Sequence, residues 1–197
     1  MFIDQSAIYL GAIPLRTIVP ADESPTIATP VTTYFPPRVV VIGGVAYGAT
    51  LPLQIMTPDD RKRLGIKGWR KRMVLDWMRV CLAPSINALG VDGMVVVADK
   101  ALRIRPADIV DAVRAGGCSR VRTAWLIPTA AAKLVSPLDN TLWHEYKERV
   151  RKRLPTNIKQ LRRALLDEWQ AIDPEHIRNY YRHCALTRTA DARAGLH

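Results

Sequence analysis

Residues 94–98, Met-Val-Val-Val-Ala, form an apolar run without polar alternation, and Asp99 ends it. A strand with one wet face alternates, so a run that does not alternate predicts a strand buried on both faces, in a sheet with helices packed on each side. The flanking sequence agrees. Asp92-Gly93 reads as a turn into the run, residues 106–115 as a helix closed by Gly116-Gly117, and residues 121–127 as a returning strand. This strand-helix-strand unit commits the middle of the chain to an α/β architecture.

The remaining sequence supplies the rest of a mixed sheet. Residues 2–10 read as a β-rich run, with further strands at Thr17-Ile18-Val19, Val39–Ile42 and Leu51–Met56. Gly43, Gly44 and Gly48 mark a hairpin, and the Pro/Thr/Ser-rich stretch 21–37 a loop. Thr57-Pro58 is a helix start. Met73, Val74, Trp77, Met78, Cys81 and Leu82 keep helical spacing, with Pro84 expected to kink or break the helix. An amphipathic basic helix is expected over 142–154 up to Pro155, and a second from about Thr156 with the stripe Ile158, Leu161, Leu165, Trp169 and Ile172. A short helix follows Asp173-Pro174, and the tail from Thr187 is expected to fray. Residues 1–186 thus read as one domain, a mixed sheet with flanking helices and a helical C-terminal extension, and 187–197 as a disordered tail. Trp69, Trp77, Trp125, Trp143 and Trp169 are expected mostly in the core.

Asp4 sits inside the first apolar run, Asp99 ends the middle one, and Asp139 lies in Ser136-Pro137-Leu138-Asp139-Asn140, just before the basic helix. A carboxylate that interrupts or ends an apolar strand is costly to bury unless something neutralises it. Divalent metal does so economically: Mg²⁺ prefers oxygen ligands and is held by one or two carboxylates plus substrate phosphates. Two such ions can stabilise the attacking and leaving oxygens of an in-line displacement at phosphorus. Each aspartate also has a plain structural reading, Asp139 as an N-cap before Leu142-Trp143-His144-Glu145, and Asp22, Glu23, Glu145 and Glu148 are rival ligands.

Twenty-nine Lys and Arg against 18 Asp and Glu give a formal charge of +11. Such a surplus points to a polyanion. Lys147, Arg149, Arg151, Lys152, Arg153, Lys159, Arg162 and Arg163 cluster after Asp139, and Lys100 with Arg103 follows Asp99. These are candidates for DNA phosphate contacts, a solvated helical face being the alternative; Arg61-Lys62-Arg63 and Arg70-Lys71-Arg72 read as mixed. Cys81, Cys118 and Cys184 have no paired spacing and read as reduced thiols of an intracellular protein, and the scattered histidines exclude a structural zinc site. Gly43-Gly44-Val45-Ala46-Tyr47-Gly48 lacks the Lys-Ser/Thr of a phosphate-binding loop, so no nucleotide cofactor is expected. Gly43, Gly44, Gly48 and Pro52 also interrupt the uncharged stretch 39–58, which excludes a membrane helix there.

The ordered set Phe-Ile-Asp-Gln-Ser (2–6), Val-Val-Val-Ile-Gly-Gly-Val-Ala-Tyr-Gly (39–48), Val-Val-Val-Ala-Asp-Lys-Ala (95–101) and Ser-Pro-Leu-Asp-Asn-Thr-Leu-Trp-His-Glu-Tyr-Lys (136–147) resembles the catalytic domain of mariner-like DDE/D transposases. The resemblance implies an RNase H-like fold, with Asp4, Asp99 and Asp139 as catalytic metal ligands. Asp4 and Asp99 would hold one Mg²⁺ or Mn²⁺, and Asp4 with Asp139 a second. The implied activity is DNA nicking and strand transfer; the partners are DNA and, as one compatible assembly, a second copy; the compartment is the nucleus in a eukaryote or the cytoplasm in a bacterium. Asp99 and Asp139 lie 40 residues apart, slightly more than is usual for the family, with Thr129–Lys133 expected as extra loop. Lys100 and Ile104 replace the family's Asn and His, and the family's helix-turn-helix region would lie before Met1, so the chain reads as a fragment or a relic. Two alternatives follow: a transposase-derived DNA-binding protein without catalysis, and an RNase H-like nuclease acting on RNA or structured DNA.

Overall fold

The computed structural model describes residues 1–11 and 36–193, with side chains to Cys184. The strand expected at Thr17-Ile18-Val19, most of the loop 21–37, and Asp22 and Glu23 lie outside the described residues. Strand β1 (Phe2–Tyr9) pairs antiparallel with β2 (Arg38–Ala46) and parallel with β5 (Met94–Asp99), which pairs parallel with β6 (Val121–Ile127). Two short strands, β3 (Ala49–Thr50) and β4 (Gln54–Met56), pair with β2. The six strands form one mixed sheet in the order β3-β2-β1-β5-β6, with β4 on β2, which is the expected RNase H-like α/β arrangement.

Helices cover both faces, which is why the central strands can be apolar throughout. On one side lie α2 (Lys71–Trp77), α3 (Ala83–Leu89) and α4 (Pro106–Ala115), while α1 (Pro58–Leu64), which follows β4, buries no residue. Ile3, Val74, Trp77, Leu82, Val96 and Ile109 join in that core layer. On the other side, α6 (Trp143–Lys152), α7 (Ile158–Gln170) and α8 (Pro174–Arg193) close over Ile8, Val39, Val41 and Val45. The stripe read from α7 is correct, with Leu161, Leu165 and Trp169 buried.

Several local expectations change. Gly43 and Gly44 lie inside β2, and the turn falls at Tyr47-Gly48, where Gly48 takes φ +74. Pro84 does not break its helix: a π turn over Met78–Leu82 joins α2 to α3 and widens the spiral where proline donates no N–H. Thr129–Lys133 is not loop but the start of α5 (Thr129–Val135). Helix α8 is long, not short, and includes residues 187–193. Trp125 is 60% exposed because β6 is an edge strand whose outer positions no helix covers. Cys81, Cys118 and Cys184 are free thiols, the last two buried. Among the described residues no helix is long and apolar enough to cross a membrane.

Candidate functional site

Strand alternation sets the aspartates on one face. Phe2 and Ile3 pair with Val97 and Ala98, so continuing the parallel register sets Asp4 beside Asp99 on the face that carries Phe2 and Val97. Both are buried, at 9% and 6% exposure. Asp99 caps a 3₁₀ turn (Lys100–Leu102): its Oδ1 accepts from the Ala101 N–H at 2.8 Å and from the Thr129 hydroxyl at 2.8 Å. Thr129 opens α5, so the inserted helix anchors the second acid.

Asp139 does not cap the basic helix. It lies within a π turn (Leu138–Leu142) that runs into α6, and its N–H donates to the Ser136 hydroxyl at 3.4 Å. Half-buried, it hydrogen-bonds Asp4 and feels the charge of Asp99. Burial, then Asp139 and more weakly Asp99, push the Asp4 carboxyl up to about 7; burial also raises Asp139. Two carboxyls this close cannot both ionise cheaply, so they share a proton. Lys147, two turns along the helix, is pushed down by burial and Arg151 but pulled back by Asp4 and Asp139, and so supplies part of the missing positive charge.

Trp143, expected in the core, is buried there and also holds Asp4: its Nε1 donates to Asp4 Oδ2 at 2.9 Å across 139 residues of sequence. The indole is fixed by stacking on Trp169 at 5.4 Å between ring centroids, and Trp169 donates to the Leu51 carbonyl at 2.8 Å. Gly43, which pairs with Asp4 across the sheet, makes room: a Cβ there would stand 3.2 Å from Trp169 Cζ2 and 2.9 Å from Leu53 Cδ1. Replacing Trp143 with Phe keeps the stack and deletes the N–H. In urea melts with EDTA, the loss is expected to be about 1.5–3 kcal/mol at pH 8, where Asp4 is charged, and smaller at pH 5. Equal losses at both pH values would show that the N–H does not serve the carboxylate.

The rival acids are engaged elsewhere. Glu145 accepts from the Tyr180 hydroxyl, and Glu148 pairs with Arg151. His144 is exposed. Much of the basic cluster is also occupied: Arg153 pairs with Glu168 at 2.5 Å and Asp167 at 3.5 Å, Arg163 with Asp167 at 3.7 Å, and Arg149 faces His176 at 3.5 Å. Lys100, Lys152, Lys159 and Arg162 remain exposed. Sequence could not reveal the pairs of Arg153, because it follows α6 and its carboxylates come from α7.

Hard oxygen donors under mutual repulsion fit a divalent cation, which would relieve the charge that raises Asp4 and Asp139. Among the described residues, no three His, Cys, Asp or Glu side chains already stand as a group set to hold an ion. Asp99 commits Oδ1 to Ala101 and Thr129.

No protein-family model matches the sequence, and no curated protein matches it either. Solved structures do. The chain is similar to a pre-cleavage Mos1 transpososome at TM-score 0.66 and 11% identity, over 100% of this chain and 56% of that one. A Mos1 transposase paired-end complex with left transposon end gives 0.65 and 11%, over 100% and 56%. A Mos1 mariner paired end complex with Mn gives 0.64 and 10%, over 98% and 55%. At this identity the fold is what is shared, and the chain spans a little over half the length of those chains.

Proposed function

We propose that this chain is the catalytic domain of a mariner-like transposase, cleaving and joining DNA phosphodiesters at Asp4, Asp99 and Asp139. The observation that carries the reading is the convergence of these carboxylates from β1, the end of β5 and the π turn before α6, in a fold shared along the whole chain with Mos1. The three aspartates would hold Mg²⁺ or Mn²⁺ as a pair of ions. Bound there, the metal supplies Lewis-acid stabilisation of charge developing at phosphorus. The chain's own residues do the rest: Trp143 fixes the Asp4 carboxylate, Thr129 and Ala101 orient Asp99, and Lys147 limits the charge of the site when no phosphate is near.

A supercoiled plasmid incubated with the protein and Mn²⁺ should convert to nicked circles, with EDTA abolishing the conversion. Cleavage of an RNA or junction substrate in preference to plasmid would move the reading to an RNase H-like nuclease. The second reading, a DNA-binding protein without catalysis, draws on Lys100 and Ile104, which stand where the family carries Asn and His. Duplex binding without nicking under any divalent ion would establish it.

A further inference from the structure

Seven basic residues and no acid occupy positions 61–72, and the fold carries this segment to the acid end of the sheet. Arg38, at the start of β2, pairs with Tyr9, beyond Asp4 in the direction in which β5 runs to Asp99. Lys71 pairs with Asp108 at 2.5 Å in the first turns of α4, the helix that follows β5. The basic segment is therefore a rim on the same end as the aspartates, running from the start of β2 to the first turn of α4.

Arg63, Lys71 and Arg72 pair with Asp60, Asp108 and Asp76, but among the described residues Arg38 and the other four cations of the segment do not. Arg61 donates to the Arg38 carbonyl at 2.6 Å, Arg38 to the Lys67 carbonyl at 3.3 Å, and Arg70 to the Gly65 carbonyl at 3.4 Å. Lys62, Lys67 and Arg70 are exposed, and among the described residues none of these five cations is paired with an acid. Burial and the neighbouring Arg38 guanidinium both push the Arg61 pKa down, the sign of like charges kept together. Beneath the rim, a groove of about 350 Å³ is lined by Arg63 with its partner Asp60, by Arg162 of α7, and by Trp69, whose buried indole N–H has no acceptor. A bound anion would satisfy the cations of the rim that have no acidic partner. In α6 and α7, by contrast, Arg151, Arg153 and Arg163 already have acidic partners.

We propose that the rim of Arg38, Arg61, Lys62, Lys67 and Arg70 is a docking surface for the sugar-phosphate backbone of duplex DNA, distinct from the basic residues of α6. It rests on DNA being the substrate of the aspartate site. The rim suits a duplex more than a single strand because it sets five cations against one exposed aromatic, Tyr9, too few for a row of stacked bases. Contacts of this kind set position on DNA and carry no sequence preference.

The test is anisotropy of a short labelled duplex of arbitrary sequence across a NaCl series, with the full chain in EDTA. Lys62→Ala/Lys67→Ala/Arg70→Ala alters only exposed side chains and should lower the log–log salt slope by about 0.9 for each phosphate no longer neutralised, weakening binding at least about tenfold at low salt. Lys152→Ala/Lys159→Ala should change the slope less. Lys62→Glu/Lys67→Glu, with an unchanged melting temperature, should weaken binding further. A wild-type slope in the triple variant overturns the rim as a DNA surface, as does a defect confined to anionic phosphatidylserine vesicles. If the wild type itself binds no duplex, the rim and the transposase reading fall together.

Discussion

Alanine at Asp4, Asp99 or Asp139 is expected to reduce Mn²⁺-dependent plasmid nicking to background, a loss on the order of 10³-fold or more for each, while Glu145→Ala retains it. Groups that act as a unit lose nearly everything when any one is removed, and these three are electrostatically joined: Asp4 with Asp139 and Asp99, and Asp139 with Asp99. Glu145 is six residues beyond Asp139 and bonded to Tyr180 on α8, which leaves it outside the cluster. Nicking rates of the four variants on one plasmid preparation decide the matter. Loss of nicking in Glu145→Ala with survival in Asp139→Ala would transfer the third role to Glu145 and require α6 to turn its Glu145 face toward β5.

The sheet and its acids are legible in the sequence because local pattern determines them. An uninterrupted apolar run can only be a doubly covered strand, and β5 is one; the aspartates stand out because charge at such positions is expensive. What is not legible depends on residues distant in sequence. Trp143 reaches Asp4 because Gly43 leaves space for Trp169, a three-body packing that no spacing rule encodes. The same glycine, read locally, signals a turn. Thr129 reads as the start of a loop, since α5 is an alanine-rich helix capped by Pro128 without a side-chain signal. The basic run after Asp139 is the strongest DNA surface in the sequence until folding brings Glu168 and Asp167 against Arg153, whereas in the segment 61–72, from α1 into the start of α2, Arg61, Lys62, Lys67 and Arg70 have no acidic partner among the described residues.

Asp4→Asn is expected to stabilise the metal-free protein at pH 8 by about 2–4 kcal/mol, equivalent to roughly 6–12 °C in melting temperature for a chain of this size. The Asp4 pKa is raised from 3.8 to about 7 on folding, chiefly by burial and next by Asp139. Between those values the folded state holds a proton that the unfolded state has released, so stability falls as pH rises from about 4 to about 7 and is level above. Asn carries no charge to desolvate, still offers Trp143 an acceptor, and can donate to Asp139. Its melting temperature in EDTA should therefore vary much less between pH 5 and pH 8, the remaining slope coming from Asp139, which is raised in the same direction. Mg²⁺ or Mn²⁺ should reverse the ranking, because an ion that binds only the folded wild type adds stability by mass action and the variant has lost a ligand. A wild type whose metal-free melting temperature is the same at pH 5 and pH 8 would show that Asp4 is not held protonated. Equal metal-induced shifts in wild type and Asp4→Asn would show that the ion binds elsewhere, and with that the aspartates would lose their assigned chemistry while the sheet that brings them together would stand unchanged.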